Sequence, residues 1–233
     1  MTLSPDASSR ALPSLGRGAA RAVRVPLEPA TASGLAGLAR VVRDYAAEEV
    51  IIVPWPVAGP RPLVPGTGNE GGITEGRFSV WPESRRLLAR NEAVGRAYTL
   101  GWFCDPPEAE DGGAASKRAP GPAEPDRTRL YVMEANYHPD GGQVWMPGAG
   151  RPFVALLAPP GDGVRPEDFR AFRLDGSFGI QILPGVWHQP PLAAWPVTLD
   201  DKQGAVHACV AVDFPAEFGC YLEVPLPEPP PGG

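Results

Sequence analysis

Histidine and cysteine are scarce in this chain of 233 residues, with three of each. Cys104, Cys209 and Cys220 are odd in number, far apart and contain no CxxC pair. That argues against a disulfide framework and against a zinc knuckle, and it fits a reducing compartment. No apolar run approaches the roughly 18 residues of a membrane-spanning helix. A basic excess is missing too: 21 Lys and Arg stand against 27 Asp and Glu, a formal net charge of -6. Nucleic acid and anionic membrane are therefore disfavoured as partners. The expected partner is a small molecule, and a small anion would need a local cationic pocket.

Proline (31) and glycine (28) are abundant. With 43% hydrophobic and 21% charged residues, the chain reads as one globular domain interrupted by many turns. The N-terminal "MTLSPDASSRALPSLGRGAAR" (1–21) is Arg-, Ser- and Ala-rich with a single acid, Asp6. It reads as a disordered tail or a transit peptide, so the compartment is cytoplasmic or, in the second case, an organelle. The run 105–128 is Pro/Gly/charge-rich and poor in large apolar residues, which predicts a flexible insert. Residues 227–233 read as a second disordered tail. A domain over 22–226 remains.

Within it, Thr31–Ala46 has helical apolar spacing with Thr31 or Ser33 as N-cap, and "RPEDFRAF" suggests one helical turn. Other ordered segments read as short strands: "EVIIVPW" from Glu49, "GRFSVW" from Gly76, "RAYTLGWFC" ending at Cys104, "RLYVMEANYH" ending at His138, "QVWM" from Gln143, "RPFVALLAP" from Arg151, "GIQILP" from Gly179 and "AVHACVAVDF" from Ala205. Many short strands and one or two short helices predict a mainly-β sandwich or barrel.

One stretch concentrates the chemistry: "ILPGVWHQPPLAAW", Ile182 to Trp195. Pro184 fixes φ and Gly185 permits a tight corner. His188 follows at once, at the mouth of the fold, where it serves as acid, base or metal ligand, or only hydrogen-bonds a carbonyl at the edge. Such a corner resembles the second motif of the cupin barrels. The HxH of the usual metal-binding cupin is missing here; only His138, in "MEANYHPDGGQVWMP", stands in the corresponding place, which argues against the common oxygenase type.

A more specific resemblance runs through "YHPDGGQVWMP", "RPFVALLAP", "RPEDFRAF" and "GVWHQPPLAAW". In order and spacing they are similar to the ureidoglycolate lyase family, also called ureidoglycolate hydrolase. That family shows Glu-Arg-His-Pro, Gln-x-Phe-x-Pro, a hydrophobic strand, Leu-Arg-Ala-Phe and then Trp-His-x-Pro. Weaker similarity extends over roughly 22–226. The chain departs in placing Ala135, Asn136 and Tyr137 between Glu134 and His138, in having Trp145 for the Phe, and in carrying the insert.

The resemblance implies a cupin-like β-barrel (a double-stranded β-helix), a homodimer, and cleavage of (S)-ureidoglycolate to glyoxylate and urea in allantoin (purine) breakdown. It makes His138 and His188 the base and acid, with Gln143 hydrogen-bonded to the ureido group. Alternatively His138, His188 and Glu134 hold a divalent metal such as nickel or manganese. Arg77 or Arg170 would clamp the carboxylate, with Asn69 and Trp187 as further substrate contacts. Bland roles stand beside these: a surface ion pair for Arg170, a turn for Asn69, core packing for Trp187 and Trp145, an edge charge for Glu134. His207 reads as structural and Cys209 as a small buried hydrophobe. Two other functions fit the pattern: a cupin-like module binding a small acid or sugar without turnover, and a metal-dependent cupin oxygenase or isomerase.

Overall fold

The computed structural model describes residues 21–54, 59–65, 67, 72–92, 95–104, 125–204 and 208–228. Asn69, His207, residues 1–20 of the N-terminal tail, most of the insert and the last five residues lie outside the described residues, so the expectations placed on them carry no further.

Among the described residues sixteen strands fall into two sheets. The strands are β1 Arg21–Arg24, β2 Leu27–Pro29, β3 Ala39–Val42, β4 Ile73–Glu83, β5 Arg86–Asn91, β6 Ala97–Trp102, β7 Arg129–Val132 and β8 Glu134–Tyr137, followed by β9 Gln143–Pro147, β10 Phe153–Ala158, β11 Arg170–Leu174, β12 Gly179–Ile182, β13 Trp187–His188, β14 Val197–Gly204, β15 Val210–Asp213 and β16 Cys220–Pro225. One sheet runs β1-β16-β7-β6-β5-β4-β14-β9-β12-β3 and the other β15-β8-β13-β10-β11-β2. The protein is mainly β, as expected. The barrel is not: among the described residues no ladder joins the two sheets into a closed cylinder. They share one hydrophobic core instead, in which Trp145 of β9 meets Phe153 of β10 edge-on at 6.3 Å.

Every residue of β10 (FVALLA) is buried. It lies between β11 and β13, so its continuous apolar run is what a strand covered on both faces requires. Chain breaks follow local chemistry. The expected strand ending at His138 divides at Met133, whose carbonyl turns aside to accept the Phe214 N–H at 2.9 Å. Asp213 caps the following helix α1 (Phe214–Phe218) by accepting from the Ala216 N–H, and Gly219 closes it in the left-handed region.

The helix expected over Thr31–Ala46 does not form. Thr31 does act as a cap, its hydroxyl accepting the Gly34 N–H at 3.0 Å. The coil lasts about one turn: Gly37 turns left-handed at φ 80°, and the β-branched pair Val41–Val42 enters the ladder opposite Ile180 and Gly179. Burial of Leu35, Leu38 and Val42 against the sheets outweighs helical propensity. "EVIIVPW" is likewise no ladder strand; it contributes a single bridge, Ile52 to Gly141. The end of the predicted flexible insert is structured, since Asp126 accepts from the Thr128 N–H and hydroxyl and from Arg129.

Candidate active site

The corner at Pro184–Gly185 returns the chain from β12 to β13. Gly185 takes φ 77°, which an L side chain rarely adopts. Its N–H donates to the His138 carbonyl at 2.9 Å, and His188 then pairs with Asn136 of β8. The Gln189 amide donates to the Glu134 carbonyl in the same junction. The two histidines singled out in the sequence are thereby brought together, with ring centroids 5.1 Å apart.

Both rings are anchored at Nδ1. His188 Nδ1 lies 2.8 Å from the Val186 carbonyl, and His138 Nδ1 lies 3.0 Å from the Ala208 carbonyl and 3.4 Å from the Cys209 thiol. A carbonyl can only accept, so each Nδ1 carries a proton and Nε2 is the chemically available nitrogen. Trp145 packs edge-on against the His188 ring at 5.9 Å.

The two histidines line a cavity of about 150 Å³ with Thr67, Phe78, Asn91, Tyr98, Asn136, Gln143, Pro190, Gln203 and Cys209. It is smaller than the roughly 300–1,000 Å³ of drug-sized sites, so it admits a small metabolite. Three of the four amide-bearing liners sit on one wall. Gln203 of β14 lies opposite Gln143 of β9, and Asp201 opposite Trp145, while Phe78 of β4 faces Asn91 of β5. On the same face as Gln203, Asp201, 1% exposed, accepts from Gln143 Nε2 at 2.7 Å and from Asn91 Nδ2 at 3.0 Å.

The two imidazoles differ in charge. Burial disfavours the His138 cation, but the Cys209 sulfur, the Ala208 carbonyl and Asp140 outweigh it and raise its pKa to about 9. Burial and the neighbouring His138 charge push His188 down to about 3, against a small opposing pull from the Val186 carbonyl. The pair thus holds a single proton beyond the neutral state, carried on His138. Burial raises Asp201 to about 6, although the Gln143 and Asn91 amides, the His138 charge and the Trp145 indole hold it down.

Several expected roles are not supported by position. Arg77 is exposed and alternates with Phe78, so it projects from the outer face of β4. Arg170 forms a bidentate pair with Glu28, at 3.0 and 2.7 Å, and stacks on Phe172. Neither guanidinium lines the cavity, and the carboxylate clamp falls away. Trp187 is a core residue: fully buried, it donates to the Gly161 carbonyl at 2.8 Å and stands edge-on to Tyr137. Glu134 sits at the Asp213 end of β8, and among the described residues no three His, Cys, Asp or Glu side chains are grouped to hold a metal ion. Among the described residues the donor set therefore offers a nickel or manganese ion no third ligand beside the two histidines. Cys209, read as a small buried hydrophobe, is a cavity residue beside His138. Asn91, Asn136, Asp201 and Gln203 were not singled out in the sequence; the alternation of Leu199, Asp201 and Gln203 in "TLDDKQ" is the one signal they left.

Comparison with known proteins points to one family. The family model described as ureidoglycolate lyase matches residues 90–203, a span that holds His138, Gln143, His188 and Asp201. A protein named ureidoglycolate lyase from Azotobacter vinelandii is 46% identical over 74 residues, 32% of this chain and 42% of the relative. Namesakes from Stutzerimonas stutzeri and Pseudomonas entomophila are 41% identical over 63 residues and 36% identical over 91 residues. These cover 27% and 38% of this chain and 37% and 54% of the relatives, so the chain matches about half or less of each relative's length.

Proposed function

We propose that this chain, whose matches support the ureidoglycolate lyase family, is a carbon–nitrogen lyase that splits (S)-ureidoglycolate into glyoxylate and urea. The observation that carries the reading is the pair of imidazoles 5.1 Å apart over an amide-lined cavity, with surroundings that raise the proton affinity of His138 and lower that of His188. Two like groups whose proton affinities are pushed apart by their surroundings supply an acid and a base at one pH.

The substrate is a hemiaminal. Neutral His188 takes the hydroxyl proton at Nε2. The oxygen's electron pair forms the glyoxylate carbonyl as the C–N bond breaks, and that bond's pair goes to the urea nitrogen. Protonated His138 supplies this nitrogen with a proton from its Nε2. Proton return from His188 to His138 resets the pair, which their proximity favours. With no arginine among the described cavity residues, the His138 cation is the group that meets the substrate carboxylate. Gln143 receives the ureido end. The chemistry needs no metal from these residues, and a homodimer remains the expected assembly.

The test uses chelator-treated protein and racemic ureidoglycolate, with spontaneous decay as the blank. Glyoxylate release that stops near half of the substrate, and that nickel or manganese does not accelerate, is the expected result. No release above the blank under any condition would leave a module that binds a small acid or sugar without turnover, a reading favoured by the altered Glu134–His138 motif.

A further inference from the structure

The cavity wall holds a buried carboxylate that the acid–base pair does not use. Asp201 contributes no surface to the cavity, yet it contacts two residues that do. Its Oδ1 accepts from Gln143 Nε2 at 2.7 Å and its Oδ2 from Asn91 Nδ2 at 3.0 Å. An ionised carboxylate only accepts. It therefore fixes which end of each amide it faces: the NH2 group must point at Asp201. For Gln143 the opposite end, Oε1, is then directed to the cavity that the residue lines. Gln203, 4% exposed and directly across the ladder from Gln143, enters the same cavity.

We propose that Asp201 is a positioning residue that turns the Gln143 carbonyl oxygen toward the cavity, making this wall a receptor for N–H donors, and so for the ureido end of the substrate. The inference rests on the lyase reading for the identity of the ligand, but not for the orientation of the amide. The arrangement also sets the substrate's direction. The N–H-bearing end is drawn to the β9–β14 wall, and the carboxylate end is left to the His138 cation. A buried acceptor rejects ligands that cannot donate, because it would be left unpaired. The Asp201→Asn substitution puts one donor and one acceptor where the carboxylate presents two acceptors. One partner amide would then have to rotate its oxygen toward the new side chain, taking that oxygen out of the cavity or unpairing it.

The experiment separates the two ends of the substrate. The full chain is titrated with urea and, separately, with glyoxylate, by calorimetry or NMR at neutral pH, as wild type, Asp201→Asn and Gln143→Met. Urea affinity is expected to fall about tenfold in both variants, the size of one good hydrogen bond, while glyoxylate affinity stays within about twofold, with circular dichroism establishing that each variant is folded. Gln143→Met removes the oxygen while leaving Asp201 in place, so it decides the matter if Asp201→Asn does not fold. Equal losses for urea and glyoxylate, unchanged urea affinity in Gln143→Met, or no urea binding by the wild type would overturn the proposal. Urea binding that responds to both variants in a protein that releases no glyoxylate would retain the positioning role and remove the reaction.

Discussion

The Gly185 N–H donates to the His138 carbonyl at 2.9 Å, three residues before His188. The corner is therefore bonded to the very residue whose ring it brings His188 to face. Gly185 holds φ 77°, and an added Cβ would stand 3.4 Å from the Pro160 Cβ. The steric contact is tolerable; the backbone angle is the cost. Gly185→Ala is expected to destabilise the fold by about 1–2 kcal/mol and to lower kcat at temperatures where it remains folded, because the corner sets the 5.1 Å ring separation. Thermal melting and kcat measured on one preparation check this. A kcat equal to the wild type's in a destabilised variant would detach the corner from catalysis.

His188→Ala is expected to lower turnover at least about 10²-fold, the usual worth of a positioned acid or base. His188 is 3% exposed, so truncation also costs packing. Circular dichroism of the folded variant keeps the two losses apart. His138→Gln should lose a similar factor and should also raise KM, because the cation that meets the carboxylate goes with it. Near-normal turnover in either variant would remove the mechanism.

Asp201 links the site to stability. Its folded pKa of about 6 lies above the ordinary 3.8. Between those values the folded chain holds a proton that the unfolded chain has released. Stability from this group is therefore greatest below about pH 4 and falls as pH rises through about 6. Asp201→Asn lacks that dependence. The wild type minus variant difference should move against the wild type by up to about 3 kcal/mol across that interval and then level off. Guanidinium melts at several pH values measure it; urea is avoided because it is a product in this reading. A difference independent of pH would mean that Asp201 does not titrate in this range.

His138, His188 and Gln143 were legible in the sequence because each belongs to a short motif whose order survives: a Pro-Gly corner before histidine, and His-Pro before Gln-x-Trp. Strand parity was less legible. Arg77 and Phe78 are neighbours on β4, and only the pairing of Phe78 with Asn91 and Leu199 decides which of them faces inward. Asp201 was missed for a similar reason. "VTLDDKQG" has too many polar residues to read as a strand, and its inward face is set by register against Gln143, 58 residues away. The helix expected at Thr31–Ala46 failed because its apolar spacing also serves a turn followed by a strand once Gly37 breaks it. Nothing local in Cys209 shows that it lies beside an imidazole 71 residues away in sequence.

The Arg170–Glu28 pair offers a check on what the cavity excludes. Both side chains are 39% exposed, where an ion pair is worth about 0–1 kcal/mol, although the bidentate geometry and the stack on Phe172 favour the upper end. Arg170→Ala should therefore lower stability by no more than about 1 kcal/mol and leave KM for ureidoglycolate within about twofold. A tenfold rise in KM would restore the arginine as a carboxylate clamp and would require Glu28 to release it.

Cys209 tunes the acid. Its sulfur, 3.4 Å from His138 Nδ1, is the main influence that holds the His138 proton against the cost of burial. With Cys209→Ala the desolvation cost is less opposed, and the His138 pKa should drop from about 9 toward or below its ordinary 6.5. A general acid is lost as pH rises through its pKa, so the alkaline limb of kcat should move to lower pH while the thermal stability changes little. The Ala208 carbonyl bond survives the substitution, so the ring keeps its orientation and only its charge responds. The pH profile of kcat, supported by imidazole NMR titration, reads this directly. An alkaline limb unmoved by the substitution would show that the thiol does not govern the proton on His138.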